Sequence, residues 1–276
     1  MSGALASGLT AGVRPSGPTT PPPPPPAREG ILRDRGVVRR DRVRARGWLL
    51  VGTGRVTGDV EVDAADLRGQ VSVGGKLAAG AFAMRGSLEV LGAVDVTGPF
   101  SVTETLRASV DVHARSIELK GLAKVGGAVR ADDRLYVHGR LKAASVRASK
   151  FLFAGEVDLA GDLEAGVVDG VIDRDSRATT VRANSVTIRP KPGLLPFALP
   201  VRVPGLTPSP ARFTVDRIEA ETVVLSGVNV GYLRANQIVL GRDSEVTRVD
   251  GAIVSCHPTS HVGPVSRSAA PYGLTR

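Results

Sequence analysis

The amino-acid sequence predicts an all-β protein, a parallel β-helix (β-solenoid) of about 18 residues per rung with disordered termini. Three observations carry that expectation. An apolar–polar–apolar triplet recurs at six-residue steps, as in Leu88-Glu89-Val90, Val94-Asp95-Val96, Phe100-Ser101-Val102 and Leu106-Arg107-Ala108. Small or turn-forming residues separate the triplets, with Gly86, Gly92 and Gly98 spaced by six. Aromatic residues make up only 4% of the 276, so the core has to be built from Val, Leu, Ala and Ile. A narrow interior would leave little room for Trp or Tyr.

Taken in chain order, residues 1–30 contain the proline run "PSGPTTPPPPPPAREG". That composition favours polyproline II and cannot bury a core. Residues 31–46, "ILRDRGVVRRDRVRAR", complete a predicted disordered Pro- and Arg-rich tail over 1–46. Its basic arm comprises Arg33, Arg35, Arg39, Arg40, Arg42, Arg44 and Arg46. From Trp48 the pattern changes, and a β-helix is predicted over 47–189. Val60-Glu61-Val62 and Val71-Ser72-Val73 enter with longer spacing, followed by the regular run. That run includes Val110-Asp111-Val112, Ile117-Glu118-Leu119, Ala123-Lys124-Val125 and Val129-Arg130-Ala131, and continues to Leu163-Glu164-Ala165. A Pro-rich loop insertion occupies 190–212, β-helix rungs resume over 213–256, and a second disordered tail is predicted over 257–276.

Each triplet reads as a minimal strand whose outer residues share one face. A strand of about three residues is too short to stand alone and needs an equivalent strand stacked on it in the next turn. Three six-residue sides close one rung. The implied outward columns are Ser101–Glu118–Tyr136, Glu89–Arg107–Lys124–Lys142 and Asp95–Asp111–Arg130–Arg147. Helices are excluded for this stretch, because apolar residues do not recur at i, i+3, i+4, i+7 and glycine is too frequent.

The net charge of +9 is uneven. Nine arginines against three acids give residues 1–46 a surplus of six, 259–276 add two, and the remainder is almost neutral. The tail is therefore the candidate contact for an anionic membrane surface or an acidic partner, with nucleic acid less favoured. One cysteine, Cys256, rules out an intrachain disulfide and agrees with a cytoplasmic location. No secretory signal is recognised, and the apolar stretch 193–206 is broken by Pro196, Pro200 and Pro204, so a soluble protein is expected, peripheral to a membrane if the arm docks there.

Catalytic equipment is sparse. Six-residue repeats also build left-handed β-helix acyltransferases, which use a catalytic histidine. Here His113 and His138 are assigned to solvated corners, and the apolar flanks on both sides of most triplets point to a right-handed coil instead. Cys256, His257 and His261 lie close together but lack the fourth ligand of a tetrahedral zinc site. No cofactor, metal or catalytic residue is expected.

A short-rung β-helix between Pro- and Arg-rich tails resembles the bactofilins, polymer-forming bacterial cytoskeletal proteins. The segment "RIEAETVVLSGVNVGYLRANQIVLGRDSEVTRVDG" is similar to the closing portion of such proteins. The resemblance covers roughly 48–255, and the insertion and the arginine arm depart from it. It implies a structural scaffold that polymerises with itself, without nucleotide, by end-to-end stacking. Trp48, Leu49 and Leu50 are the candidate interface at one end, and Val246, Val249 and Ile253 at the other. The alternatives are a non-polymerising binding module using the basic arm and, third, an acyltransferase.

Overall fold

A computed structural model describes residues 29–192 and 211–266. The expectations for 1–28, 193–210 and 267–276 lie outside the described residues. The chain runs β1 (Glu29–Arg40), β2 (Val43–Val56), β3 (Val60–Val73), β4 (Leu77–Val90), β5 (Val94–Ala108), β6 (Val112–Val125), β7 (Ala128–Ala143) and β8 (Ser145–Leu159). It continues through β9 (Leu163–Ile172), β10 (Ser176–Pro190), β11 (Phe213–Leu225), β12 (Val228–Leu240), β13 (Glu245–Cys256), β14 (His261–Val262) and β15 (Val265–Ser266). Successive strands from β1 to β14 pair in parallel in sequence order, and β15 pairs with β13. The result is a β-solenoid of about 13 turns and about 17 residues per turn, one fewer than the six-residue period implies.

The missing residue is at a corner. In β2 the inward pairs are Val43/Ala45, Trp48/Leu50 and Gly54/Val56, and Val43 registers with Val60 of the next coil. Three triplets are thus joined by corners of two, three and three residues. Beside the two-residue corner the inward residue is small in most coils: Ala45, Ala79, Ala114, Ala148 and Ala165 are all buried. The corner between the second and third sides carries Gly36, Gly52, Gly69, Gly86, Gly121, Gly139 and Gly155, each with positive φ and stacked in register. Glu104 takes this corner in β5 with φ 93°.

The interior accepts aromatics where a neighbour gives way. Trp48, expected not to fit, is 1% exposed. It shares its coil with inward Gly54, where an added Cβ would come within 2.7 Å of Leu50. Phe153 stacks on Phe151 at 5.1 Å, and the next coil places Gly170 over it, where a Cβ would lie 2.2 Å from the ring. Volume is balanced between large and absent side chains, as close packing demands.

Three assignments differ from expectation, while the insertion falls where expected, between β10 and β11. Residues 29–46 are ordered coil: β1 lays Leu32–Asp34 over Trp48–Leu50 and Val38–Arg40 over Gly54–Val56. Val110 is an exposed corner residue, and the strand triplet is Val112-His113-Ala114, so His113 replaces Asp111 in the column Asp95–His113–Arg130–Arg147. The Pro-rich insertion leaves after Pro190, at the end of a second side, and the chain returns at Phe213–Val215 as a third side over Ser176–Ala178. It therefore occupies the corner that glycine fills elsewhere. Its feet are tied where the Lys191 N–H donates to Ile172 O (2.7 Å) and the Arg212 N–H donates to Asp175 Oδ1 (3.1 Å). Finally, residues 261–266 continue the ladder on β13 rather than joining a disordered tail.

Candidate functional site: the solenoid ends and outward columns

The first described coil closes one end of the interior. Its inward positions are Leu32, Asp34, Val38 and Arg40, aligned with Trp48, Leu50, Gly54 and Val56. Arg40 Nη2 donates to Asp34 Oδ1 at 2.9 Å, and Trp48 Nε1 donates to Asp34 Oδ2 at 3.0 Å. An ion pair thus lies across the mouth of the apolar core, with the Asp34 side chain 12% exposed. Inward-pointing charge on an edge strand is a known defence against edge-to-edge association. Arg33, Arg35 and Arg39 point outward around this cap and are exposed.

Trp48 and Leu50, read from the sequence as end residues, are therefore interior, one coil below the cap, while Leu49 is 40% exposed on the side wall. Of the predicted arm, Arg40 pairs with Asp34, Arg42 with Asp59 (3.3 Å) and Arg44 with Glu61 (3.0 Å). The arm is part of the first two ordered coils and not a tether.

The opposite end differs. Val246 and Val249 are buried, with β14 over Glu245–Val246 and β15 over Val249–Asp250. Among the described residues nothing covers Ile253–Cys256. Ile253 is partly buried, Val254 is 66% exposed, and Cys256 is free and exposed. This end carries Asp243, Glu245 and Asp250 against Arg242 and Arg248.

Along the sides, rung-to-rung ion pairs tie outward columns together: Arg140–Glu156 (2.7 Å), Lys142–Asp158 (3.0 Å), Arg147–Glu164 and Arg177–Asp158. Exposed pairs of this kind contribute about 0–1 kcal/mol each. A chain of four groups runs through His113, with Lys76, Asp95 and Asp132. Its Nδ1 lies 3.3 Å from Asp95 and its Nε2 3.1 Å from Asp132, while Lys76 reaches Asp95 at 3.3 Å. Both ring nitrogens donate to carboxylates only in the imidazolium form. Asp132 chiefly raises the His113 pKa, burial opposes it, and Asp95 adds to the rise. At Asp95 burial pushes upward, but the bonds from His113 and Lys76 outweigh it and the net shift is downward.

A group with a raised folded pKa contributes stability in full below its ordinary value of 6.5 and loses it as pH rises through the higher folded value. Wild type is therefore expected to lose thermal stability between about pH 6.5 and 8.5 by more than His113→Gln does. Melting curves at both pH values check this, and an NMR titration of His113 with a midpoint at or below 6.5 would refute it.

Among the described residues no group of three His, Cys, Asp or Glu side chains is placed to hold a metal, and Cys256, His257 and His261 do not converge. His138 sits at a corner as expected, beside Gly139. Among the described residues no helix is long and apolar enough to cross a membrane. Among the described residues, the depressions lined by Thr53 to Arg107 and by His113 to Asn184 are grooves partly open to solvent.

No family model, curated protein or solved structure matches this chain.

Proposed function

We propose that the protein is a structural scaffold, a rigid non-catalytic solenoid that associates with further copies of itself through its ends and without nucleotide, as the bactofilin resemblance implies. The observation that carries this reading is the parallel ladder from Glu29 to Ser266, whose described ends leave strand edges without a partner. Unpaired strand edges are templates for further pairing. The two ends are unlike. Two arginine-rich first coils repel each other, whereas the last coil is close to neutral, with Glu245 facing Arg212 and Asp250 facing Arg234. Head-to-tail contact is heterologous and generates an open filament rather than a closed pair. The cytoplasm is the proposed location.

Negative-stain microscopy and sedimentation of the purified, nucleotide-free protein test the reading. Filaments whose assembly slows Cys256 alkylation support it, and discrete monomers at high concentration with fully reactive Cys256 would sink it. A second reading, a binding module, draws on the exposed Arg33, Arg35 and Arg39 at the first coil. It predicts monomers whose binding to acidic vesicles or an acidic partner weakens steeply with salt.

A further inference from the structure

Among the described residues, two of the grooves along the coils differ in their electrostatics. The one bordered by His113, Arg147 and Glu164 is balanced in charge: Arg130 and Arg147 stand against Asp132 and Glu164, with His113 meeting Asp132 and Arg147 meeting Glu164. The other crosses β2 to β5 on the third side and the adjoining corner. One wall is the corner column Thr53–Gln70–Ser87–Thr105, and the other is the outward column Arg55–Ser72–Glu89–Arg107. Arg55 and Arg107 bracket it, and among the described residues neither is held in an ion pair. Arg68 and Arg85 project from the same corner, in register with each other and exposed.

This lining is a ladder of hydrogen-bonding groups repeating at one coil step, about 4.8 Å. That step is close to the length of one sugar unit in an extended glycan. Hydroxyl and amide groups serve sugar hydroxyls, and Glu89 can accept from them. The flanking guanidinium groups serve carboxylates, which arginine holds in paired hydrogen bonds. No aromatic ring lines the groove for base stacking, and the exposed lining has no apolar side chain to enter a bilayer. We infer that this groove binds a linear carboxylated polysaccharide along the solenoid axis. The site does not depend on self-association.

The test is binding of polygalacturonate oligomers to the full chain by titration calorimetry, with a neutral glucan, a dT20 oligonucleotide and phosphatidylglycerol vesicles as comparison probes. Arg55→Gln/Arg107→Gln is expected to weaken polygalacturonate binding about ten-fold or more, the loss of two charge-assisted contacts. Arg147→Gln, with a melting temperature matched to the double variant, is expected to leave it unchanged. Absence of binding, equal loss in both variants, or equally tight arginine-dependent binding of dT20 or vesicles would each overturn the assignment.

Discussion

Gly86→Ala is expected to destabilise the solenoid by about 3–5 kcal/mol, whereas Gly36→Ala, in the same column, should cost only about 1–2 kcal/mol. Both glycines have positive φ, 125° and 79°. At Gly36 an added Cβ meets nothing within 4 Å, so only the conformational penalty applies. At Gly86 the Cβ would sit 2.0 Å from the carbonyl oxygen of Gly69 and 2.9 Å from its carbon. That oxygen belongs to a backbone held in the parallel ladder on either side, so relief requires breaking the coil-to-coil spacing. Chemical denaturation of the two variants separates the effects, and equal losses would show that stacking adds nothing to the demand for glycine. The natural exception supplies the reverse experiment. Glu104 holds φ 93° with a side chain, a strained conformation of about 1–3 kcal/mol. Glu104→Gly should raise stability by about 1 kcal/mol once the added chain entropy of glycine is subtracted.

That same column shows what was legible in the sequence and what was hidden. Triplets such as Leu88-Glu89-Val90 reveal strands because both inward residues are apolar, and their spacing reports three sides per turn. The rule fails where inward positions need not be apolar. In β1 they are Leu32, Asp34, Val38 and Arg40. An apolar residue followed two later by a charge reads as solvated tail, although an end coil needs core on only one of its faces. The signal that locates β1 is the glycine spacing: Gly36, Gly52, Gly69 and Gly86 recur every 16 or 17 residues. The rule also fails where an apolar residue stands outside. Val110, 43% exposed at a corner, imitates a strand and displaces His113 from its true outward position. The His113 carboxylate cluster depends on that register, so it was invisible until the corner lengths were known. The groove walls were half visible. The neighbours Glu89 and Arg107 stand in a predicted column, but Thr53, Gln70, Ser87 and Thr105 belong to a corner, where sequence periodicity says little about alignment.

The cap at the first coil gives the other large expected effect. Arg40→Leu alone leaves the Asp34 carboxylate, 12% exposed, without its cationic partner over the indole of Trp48. Removing one partner of a largely buried pair is costly, here about 1–3 kcal/mol because the site is partly open to water. A solenoid is stabilised mainly between neighbouring coils, so the damage should stay local. The expected result is fraying of β1, seen as a red shift and easier quenching of Trp48, the only tryptophan, with little change in the main thermal transition. Asp34→Leu/Arg40→Leu should behave oppositely. Replacing an ion pair by apolar residues is often neutral or stabilising by about 1–4 kcal/mol. The end would then present Leu at both altered positions beside Leu32 and Val38, on a strand edge stripped of its inward charge. Sedimentation velocity should therefore show the double variant associating at markedly lower protein concentration than wild type, with Trp48 emission unshifted or shifted to the blue. If both variants sediment like wild type, and Trp48 emission does not move in either, the Asp34–Arg40 pair neither seals the core nor guards the edge.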